Sequence, residues 1–366
     1  MVQRITSASR YDLLLTDMRR NMANYNKAIE QLSSSSKINH LTDDPIGAVN
    51  VLNTNRQLGQ IETFETNVGM ASAELSALGD LMDLASGYLS QAWDKAIQAN
   101  NQTYNENSLK ALKVEIDEIT KTMVDLANTE YNDNYIFAGA NTKTIPFEIA
   151  ENGDIIYYGT PNSNPDYIRQ TEVADGVFEI INTTGDKVFG YYKSAVEPGN
   201  GVYTDKDGKR VLESTDADGN TVYKYENGAE YTGDIADLTD GAPEEYDGVM
   251  GALRVLSNSI QAALDAPTDA ERTEAFNTMR STLDMFSDSL NTISNEQTKF
   301  GGVANRLEMT ESTLGTNSDS LTNYLSNINS VDYATAVTNW LQAQYAYQAS
   351  LQVTASSMNM SLLNYL

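Results

Sequence analysis

Two short stretches of the chain carry the acidic pattern with which calcium loops begin. They are Asp205-x-Asp207-Gly208 and Asp216-x-Asp218-Gly219. Calcium takes about six to eight oxygen ligands, so a complete loop also needs a downstream acidic residue at a fixed spacing. Asp-Gly is also the commonest signal for a β-hairpin turn. We therefore predict turns and no metal site here, and expect a calcium titration to leave the melting temperature unchanged.

Other residues that could do chemistry have simpler structural roles. Asp43-Asp44-Pro45 predicts a helix start, because an Asp carboxylate accepts free backbone N–H groups and Pro fits the first helical position. One histidine, His40, excludes a histidine cluster and a Ser-His-Asp set, so we predict no catalytic site, no enzyme activity and no cofactor. The many tyrosines of residues 131–248 could stack on sugars, but cross-strand pairing in a small sheet is the commoner use.

Composition excludes several classes of protein. A net charge of −27 argues against nucleic acid as a partner, because such proteins need a basic face. There is no cysteine, so neither a disulfide nor a thiolate metal site exists. No run is long enough to span a membrane, and the uncharged C-terminal helix lacks the basic residues that bind anionic lipid, so we predict no membrane partner. Residues 1–20 do not resemble a cleaved secretory signal, so export would proceed without one.

Both ends of the chain predict helices with a narrow apolar seam. Apolar residues recur at alternating steps of three and four, the period of a helix that coils against a partner. The N-terminal seam consists of Leu15, Met18, Met22, Tyr25, Ile29 and Leu32. The C-terminal seam consists of Val337, Leu341, Gln344, Gln348, Leu351, Ala355, Met358, Leu362 and Tyr365. We predict that the two helices pair and that both seams form a subunit interface, because glutamine and alanine leave the second seam weak.

Between these ends the chain predicts helical rods around a β-rich insert. A seam without a slip runs from Ile61 to Ala99, and helix from Pro45 to Asn100 would span about 80 Å. Residues 131–248 instead alternate with period two between Asn-Gly, Asp-Gly and Gly-Asn turns, which is typical of hairpins. The fold class is therefore mainly α, with antiparallel coiled-coil rods formed by the two halves and a β module inserted between them. We predict an axial core of residues 1–40 and 330–366, rods of 41–130 and 249–329, and a β-rich module of 131–248.

Motifs spread over both ends and both rods are similar to those of one protein family. They are residues 41–48 (LTDDPIGA), 126–129 (LANT), 135–139 (YIFAG), 146–147 (PF), 158–159 (YG), 184–189 (TGDKVF), 303–308 (VANRLE), 332–336 (DYATA) and 362–366 (LLNYL). They resemble the flagellin and flagellar hook-associated protein family, and most of all its hook–filament junction proteins, the third hook-associated proteins. Residues 202–240 resemble nothing in that pattern and look like an expansion.

The resemblance implies a structural protein of the bacterial flagellum. It implies an extracellular homo-oligomeric ring between a hook-side hook-associated protein and flagellin, reached by type III export without a cleaved signal. It also implies a cytosolic export chaperone on residues 331–366. Two alternatives stay open, a flagellin that forms the filament itself and a secreted β-domain adhesin or hydrolase on a helical stalk. We expect residues 1–40 and 330–366 to be mobile in an isolated monomer and rigid only in an assembly.

Overall fold

The computed structural model describes most of the chain in two compact units. It describes residues 7–100, 105–196, 200–206, 209–215, 221–225 and 229–363, with the backbone alone for 7–11, 165, 215 and 358–363. One compact unit, here the terminal unit, comprises residues 1–66 and 311–366. The other, the central unit, comprises residues 67–310. The sequence predicts a different division, into axial core, rods and β module, and that division stays a prediction.

Helices dominate the described chain, and three of them are very long. The predicted fold class, helical halves around a β-rich insert, is confirmed. The helices are α1 (Ser7–Ser34), α2 (Pro45–Ala99), α3 (Glu106–Ala127), α4 (Gly185–Val188), α5 (Gly248–Asp265), α6 (Asp269–Asn329) and α7 (Tyr333–Leu363).

Local chemistry fixes most helix starts where the sequence predicts them. Thr268 and Glu271 form the predicted capping box of α6, with the Glu271 N–H 3.3 Å from Thr268 Oγ1 and the Thr268 N–H 3.1 Å from Glu271 Oε2. A second predicted box, Thr103 with Glu106, is wrong. Helix α3 begins at Glu106, and the Asn105 side chain caps it by accepting from the Ser108 N–H at 2.9 Å. Thr103 itself lies outside the described residues.

The predicted seam of α2 is confirmed along the central unit. Every predicted position from Val68 to Ala99 is buried, with steps of three and four throughout. Helix α6 differs in part. The three-and-four spacing of the sequence also predicts a seam through Leu283, Leu290, Gln297 and Ala304, but these residues are only half-buried. The most buried line of α6 lies one position earlier and includes polar side chains. The buried line of α6 consists of Met279, Thr282, Phe286, Ser289, Ile293, Glu296, Phe300, Val303 and Leu307.

Hydrogen bonds explain the polar positions in the α6 line. Thr282 Oγ1 donates to the Met279 carbonyl at 2.7 Å, and the Glu296 carboxylate pairs with the Lys187 ammonium of α4. Buried polar groups are tolerated where they are paired, and a search for apolar residues alone overlooks them. Helix α6 also continues through Gly301 and Gly302 without interruption, where the sequence predicts a weakened or kinked turn.

In the part of the β module that the structure describes, there are two antiparallel four-stranded sheets and two further strand pairs. The inner sheet has the order β12-β7-β4-β3, the outer sheet β10-β9-β8-β11, and β1 pairs with β2 and β5 with β6. The strands are β1 (Glu130–Tyr131), β2 (Asn134–Tyr135), β3 (Phe147–Ile149), β4 (Ile155–Tyr157), β5 (Gln170–Ala174), β6 (Val177–Ile180), β7 (Tyr191–Lys193), β8 (Val202–Thr204), β9 (Arg210–Thr215), β10 (Thr221–Tyr225), β11 (Thr239–Asp240) and β12 (Glu245–Asp247).

Two of the predicted turn dipeptides lie at hairpin turns, as expected. Gly153 joins β3 to β4 with φ +86°, and Gly176 joins β5 to β6 with φ +69°, conformations that favour glycine. The other three dipeptides lie outside the described residues. Asp205 follows β8, and its carboxylate accepts from the Lys209 N–H at 2.8 Å and from the Tyr225 hydroxyl at 3.0 Å.

Aromatic rings form the core of the inner sheet. Phe137 and Phe189 meet edge to face at 4.9 Å, and Phe147 lies 5.0 Å from the Tyr157 ring. The Tyr157 hydroxyl donates to the Phe137 carbonyl at 2.8 Å, and its burial raises the pKa of Tyr157. An added Cβ on Gly185 would lie 2.5 Å from the Phe147 ring, so this position must be glycine. This packed cluster therefore contains residues from several of the motifs that resemble the family.

Candidate assembly surface of the terminal helices

Helices α1 and α7 pack against each other in the terminal unit, which the sequence predicts for the two ends of the chain. Tyr25 of α1 and Tyr347 of α7 stack with ring centroids 5.8 Å apart and an interplanar angle of 12°. Ala28, Ala336 and Thr354 are the most buried residues along the pair. The close contact is thus made largely by small side chains and one aromatic stack.

The face of α7 that contacts α1 is shifted by one residue from the predicted seam. Its least exposed positions alternate steps of four and three, as a coiled-coil contact should. Alanine, serine and threonine provide most of them. They are Ala336, Trp340, Ala343, Tyr347, Ser350, Thr354 and Ser357.

Helix α1 shows a related pattern, in which Met22 and Ile29 are the exposed members of the predicted seam. Its less exposed line contains Met18, Tyr25 and Leu32, as predicted. The positions between them are Leu14, Asn21 and Ala28, one residue before the predicted Leu15, Met22 and Ile29. At two of these three positions, Asn21 and Ala28, a polar or small residue takes the place of a larger apolar one.

The predicted interface residues are consequently open to solvent to different degrees. Met22 is 46% exposed, Ile29 39%, Leu341 37% and Leu351 42%. Gln348 is also exposed, whereas Leu15, Val337 and Gln344 are half-buried. The side chains of Met358 and Leu362, and Tyr365 altogether, lie outside the described residues. The role of these residues in a subunit interface stays a prediction.

Both helices expose large apolar side chains, on α7 among uncharged residues and on α1 among charged ones. Leu13 is 60% exposed, Tyr345 66% and Val353 51%, beside the exposed leucines of the predicted seam. Helix α7 carries no Asp, Glu, Lys or Arg from Tyr333 to Leu363. Exposed apolar patches of this kind mark sites of protein–protein contact. Sequence periodicity finds the apolar residues but does not show that they face away from the other helix.

Asp43 and Asp44 have different tasks at the start of α2. Asp44 Oδ1 accepts from the Ile46 and Gly47 N–H groups at 3.1 and 3.0 Å, which is the predicted helix cap. Asp43 Oδ2 instead accepts from the Asn39 and His40 N–H groups, and Oδ1 lies 2.8 Å from Lys27 Nζ. The Lys27 ammonium and these N–H donors lower the pKa of the Asp43 carboxyl.

The Asp43→Asn variant should destabilise the terminal unit by about 1 kcal/mol at neutral pH, because the charge that pairs with Lys27 is lost. The folded-state pKa is lowered, so this contribution is present above the unfolded value of about 3.9 and is lost as pH falls below it. Urea unfolding is followed by Trp340 fluorescence in a Trp93→Phe background. The difference in free energy of unfolding between the parent and Asp43→Asn should be present at pH 5 and smaller toward pH 3. Asp44→Asn is the control, since asparagine caps equally well.

Metal and membrane sites have no support in the described residues. There, no three His, Asp or Glu side chains are grouped as a metal site. No described helix is both long enough and apolar enough to cross a bilayer.

Comparison with protein-family models identifies both helical regions. The bacterial flagellin N-terminal helical region matches residues 7–142, and the bacterial flagellin C-terminal helical region matches residues 283–366. Together these matches cover more than half of the chain and include α1, α7 and most of the rods. The chain belongs to the flagellin and flagellar hook-associated protein family. It is therefore a structural protein of the bacterial flagellum, and the family resemblance of its motifs is confirmed.

Relatives within this family include both hook-associated proteins and flagellins. Flagellar hook-associated protein 3 of Escherichia coli K12 is 23% identical over 365 residues, with 98% of each chain covered. The flagellin of Clostridium tyrobutyricum is 22% identical over 371 residues, with 94% of each chain covered. Family members of either kind thus align with this chain from end to end.

Solved structures of the family share the fold. The crystal structure of hook-associated protein 3 from Legionella pneumophila has a TM-score of 0.56 at 18% identity, with 76% of this chain and 98% of that chain covered. FlgL of Xanthomonas campestris has a TM-score of 0.54 at 18% identity, with 75% and 99% covered. At these identities the likeness shows the fold alone.

Proposed function

We propose that this chain is the junction subunit that joins the flagellar hook to the flagellin filament as a homo-oligomeric ring. The observation that carries the proposal is the set of exposed apolar side chains on α1 and on the uncharged helix α7. Leu341, Leu351 and Met22 are exposed in the single chain, and burying a leucine or methionine side chain contributes about 1.5–3 kcal/mol. Further copies and neighbouring flagellar proteins would cover these side chains.

The proposed partners follow from the position of a junction. One end of the ring would contact a hook-side hook-associated protein, and the other would contact flagellin. Likeness to the Escherichia coli hook-associated protein 3 over 98% of this chain supports this assignment. We also propose export without a cleaved signal, with a cytosolic chaperone covering residues 331–366, because an uncharged helix with exposed leucines is prone to aggregate before assembly.

A flagellin is the second candidate, since the Clostridium tyrobutyricum flagellin aligns over 94% of this chain. The two functions differ in self-assembly. A flagellin elongates by itself into long filaments, whereas a junction subunit stops after a short ring and requires other proteins on both sides. Both would use the same terminal helices.

In vitro assembly separates the two candidates. Purified chain is concentrated in ammonium sulfate, which strengthens apolar association. It is viewed by electron microscopy alone, with isolated hooks that carry the hook-side hook-associated protein, and with these hooks plus flagellin of the same bacterium. We expect no micrometre-long filaments from the chain alone, and flagellin filaments growing from hooks only when the chain is present. Long filaments of the chain alone would assign it as flagellin, and a deletion strain that swims normally would exclude both functions.

A further inference from the structure

A cleft of about 320 Å³ lies between α2 and the β1–β2 hairpin in the central unit. On the α2 side it is lined by Gly69, Met70 and Ala73, and the two small residues leave room there. On the hairpin side it is lined by Tyr131 and Tyr135. Ligand pockets in proteins usually have volumes of about 300–1,000 Å³. The cleft is therefore large enough for a small ligand.

Arg169 lines the same cleft and carries a buried donor without an acceptor. Its Nη2 donates to Glu74 Oε1, and Glu74 lines the cleft too. Its Nε is buried and has no hydrogen-bond partner in the described part of the chain. Native proteins supply a partner for almost every buried N–H group. A bound molecule with an acceptor oxygen would satisfy this one.

The charges of the cleft indicate a neutral ligand. Glu74 and Arg169 are the only charged residues among those that line it, and they pair with each other. Neither an anion nor a cation would therefore meet an unpaired opposite charge. The remaining polar side chains are the amides of Asn132 and Asn134 and the tyrosine hydroxyls. These groups suit a ligand that offers several hydroxyl or carbonyl oxygens.

Two aromatic rings accompany these polar groups. Tyr131 and Tyr135 are both half-buried, so part of each side chain stays accessible. The Tyr135 hydroxyl donates to the Glu130 carboxylate, which raises the pKa of Tyr135 and restrains its ring. Met70 adds an apolar side chain that is 61% exposed. A sugar ring has apolar C–H faces and polar hydroxyls at its edge, so it matches aromatic rings with amides beside them.

The backbone of the hairpin argues against an extended peptide as the ligand. A peptide that adds to a sheet needs a strand edge with free N–H and C=O groups. The Tyr135 N–H donates to the Thr142 carbonyl at 2.8 Å, and the Ile136 N–H donates to the Thr129 carbonyl at 3.4 Å. These two N–H groups are thus already used within the chain.

We propose that this cleft binds a neutral saccharide, with Tyr131 and Tyr135 against the faces of its sugar rings and Arg169 Nε donating to one of its oxygens. The sequence leaves sugar stacking open for the tyrosines of residues 131–248. The folded chain brings two of them together with amides and a guanidinium group. Such binding requires no assembly, so it is independent of the proposed function.

Saturation-transfer-difference NMR on the full-length monomer tests this binding. The probes are the neutral disaccharides chitobiose, whose acetamido groups add carbonyl oxygens, and maltose. We expect saturable binding of at least one of them. Glucuronic acid should bind no more tightly than glucose, because no unpaired base in the cleft would meet its carboxylate. Absence of binding by both disaccharides, or tighter binding of glucuronic acid than of glucose, would overturn the proposal.

Two substitutions test whether the saccharide lies in this cleft. Ala73→Phe fills the cleft from α2, and Tyr131→Val removes a ring but keeps a residue that suits a strand. Each should weaken disaccharide binding at least about tenfold. Ser90→Phe adds the same ring at an exposed position of α2 away from the cleft, and Tyr246→Val removes a ring that is 44% exposed in β12. Both controls should bind as the parent does, and parent-like binding by Ala73→Phe and Tyr131→Val would contradict the proposal.

Oxidation of the parent chain gives a test that needs no variant. Saturating chitobiose or maltose, whichever binds, should slow the oxidation of Met70 by hydrogen peroxide at least about twofold, because the sugar would cover its sulfur. Met309, 70% exposed on α6, is the internal control and should react at an unchanged rate. Peptide mapping by mass spectrometry measures both rates. Equal Met70 rates with and without the sugar would show that the cleft is not its site.

Discussion

The double variant Leu341→Asp, Leu351→Asp is expected to weaken association between copies of this chain at least about 100-fold while the monomer stays folded. The two side chains are 37% and 42% exposed and lie one position beyond the least exposed line of α7. Burying the exposed part of each would contribute about 1 kcal/mol, and about 3 kcal/mol corresponds to a hundredfold in affinity, so the rest of the effect comes from the introduced charges. Two buried carboxylates would add a desolvation cost.

Sedimentation velocity and electron microscopy of the assembly reaction measure this effect. Gln342→Asp, Gln352→Asp is the matched control, because it adds the same charges at exposed positions one residue further along α7. The control should assemble nearly as well as the parent. Normal assembly of the leucine variant would exclude this face of α7 from the interface and would remove the main support for the proposed function.

A second large effect is expected in the central unit, where Lys187→Met should lower the free energy of unfolding by about 2 kcal/mol. Glu296 is a buried carboxylate on the inner line of α6, 2.6 Å from Lys187 Nζ and 3.2 Å from the Thr183 hydroxyl. Removing the lysine leaves that charge with Lys299, 3.6 Å away and more exposed. A buried charge that loses its partner destabilises by several kcal/mol, and the partial exposure of Lys187 and the nearby Lys299 reduce the effect here.

Urea unfolding, followed by Trp93 fluorescence in a Trp340→Phe background, reports the central unit. Adding Glu296→Leu to Lys187→Met should restore most of the lost stability, because apolar side chains of similar size can replace a buried ion pair. Lys121→Met removes the exposed partner of Glu118 and should cause no measurable change. A double variant less stable than Lys187→Met alone would contradict this account of Glu296.

This ion pair belongs to a set that attaches part of the β module to the rods. Arg169, just before β5, pairs with Glu74 of α2, and the Glu179 carboxylate of β6 lies 2.9 Å from Arg306 Nε of α6. The Asn67 side chain of α2 donates to the Glu172 carbonyl at 2.8 Å. The partners are separated by about 95 to 127 residues in the chain, so no local pattern in the sequence could identify them.

Short-range patterns explain why much of the fold was predictable. A seam such as Val68 to Ala99 repeats over many turns, and the capping box of Thr268 and Glu271 lies within four residues. Hairpin turns such as Asn152-Gly153 are equally local, because glycine alone adopts their backbone conformation freely. The Thr103 box shows the limit of such patterns, since the neighbouring Asn105 caps α3 in its place.

The sequence by itself determined the helical ends, the rods, the β insert and the family, since each rests on residues close together in the chain or on the spacing of apolar side chains. The tertiary structure alone decided which faces meet. Tyr25 stacks on Tyr347 between α1 and α7, and Ala28, Ala336 and Thr354 are buried, whereas Leu341 and Leu351 stay 37% and 42% exposed. Apolar periodicity indicates that one face of a helix is buried, but it does not show which molecule buries that face. We propose that other copies cover the apolar side chains that this contact leaves exposed, and only the folded structure shows which side chains those are.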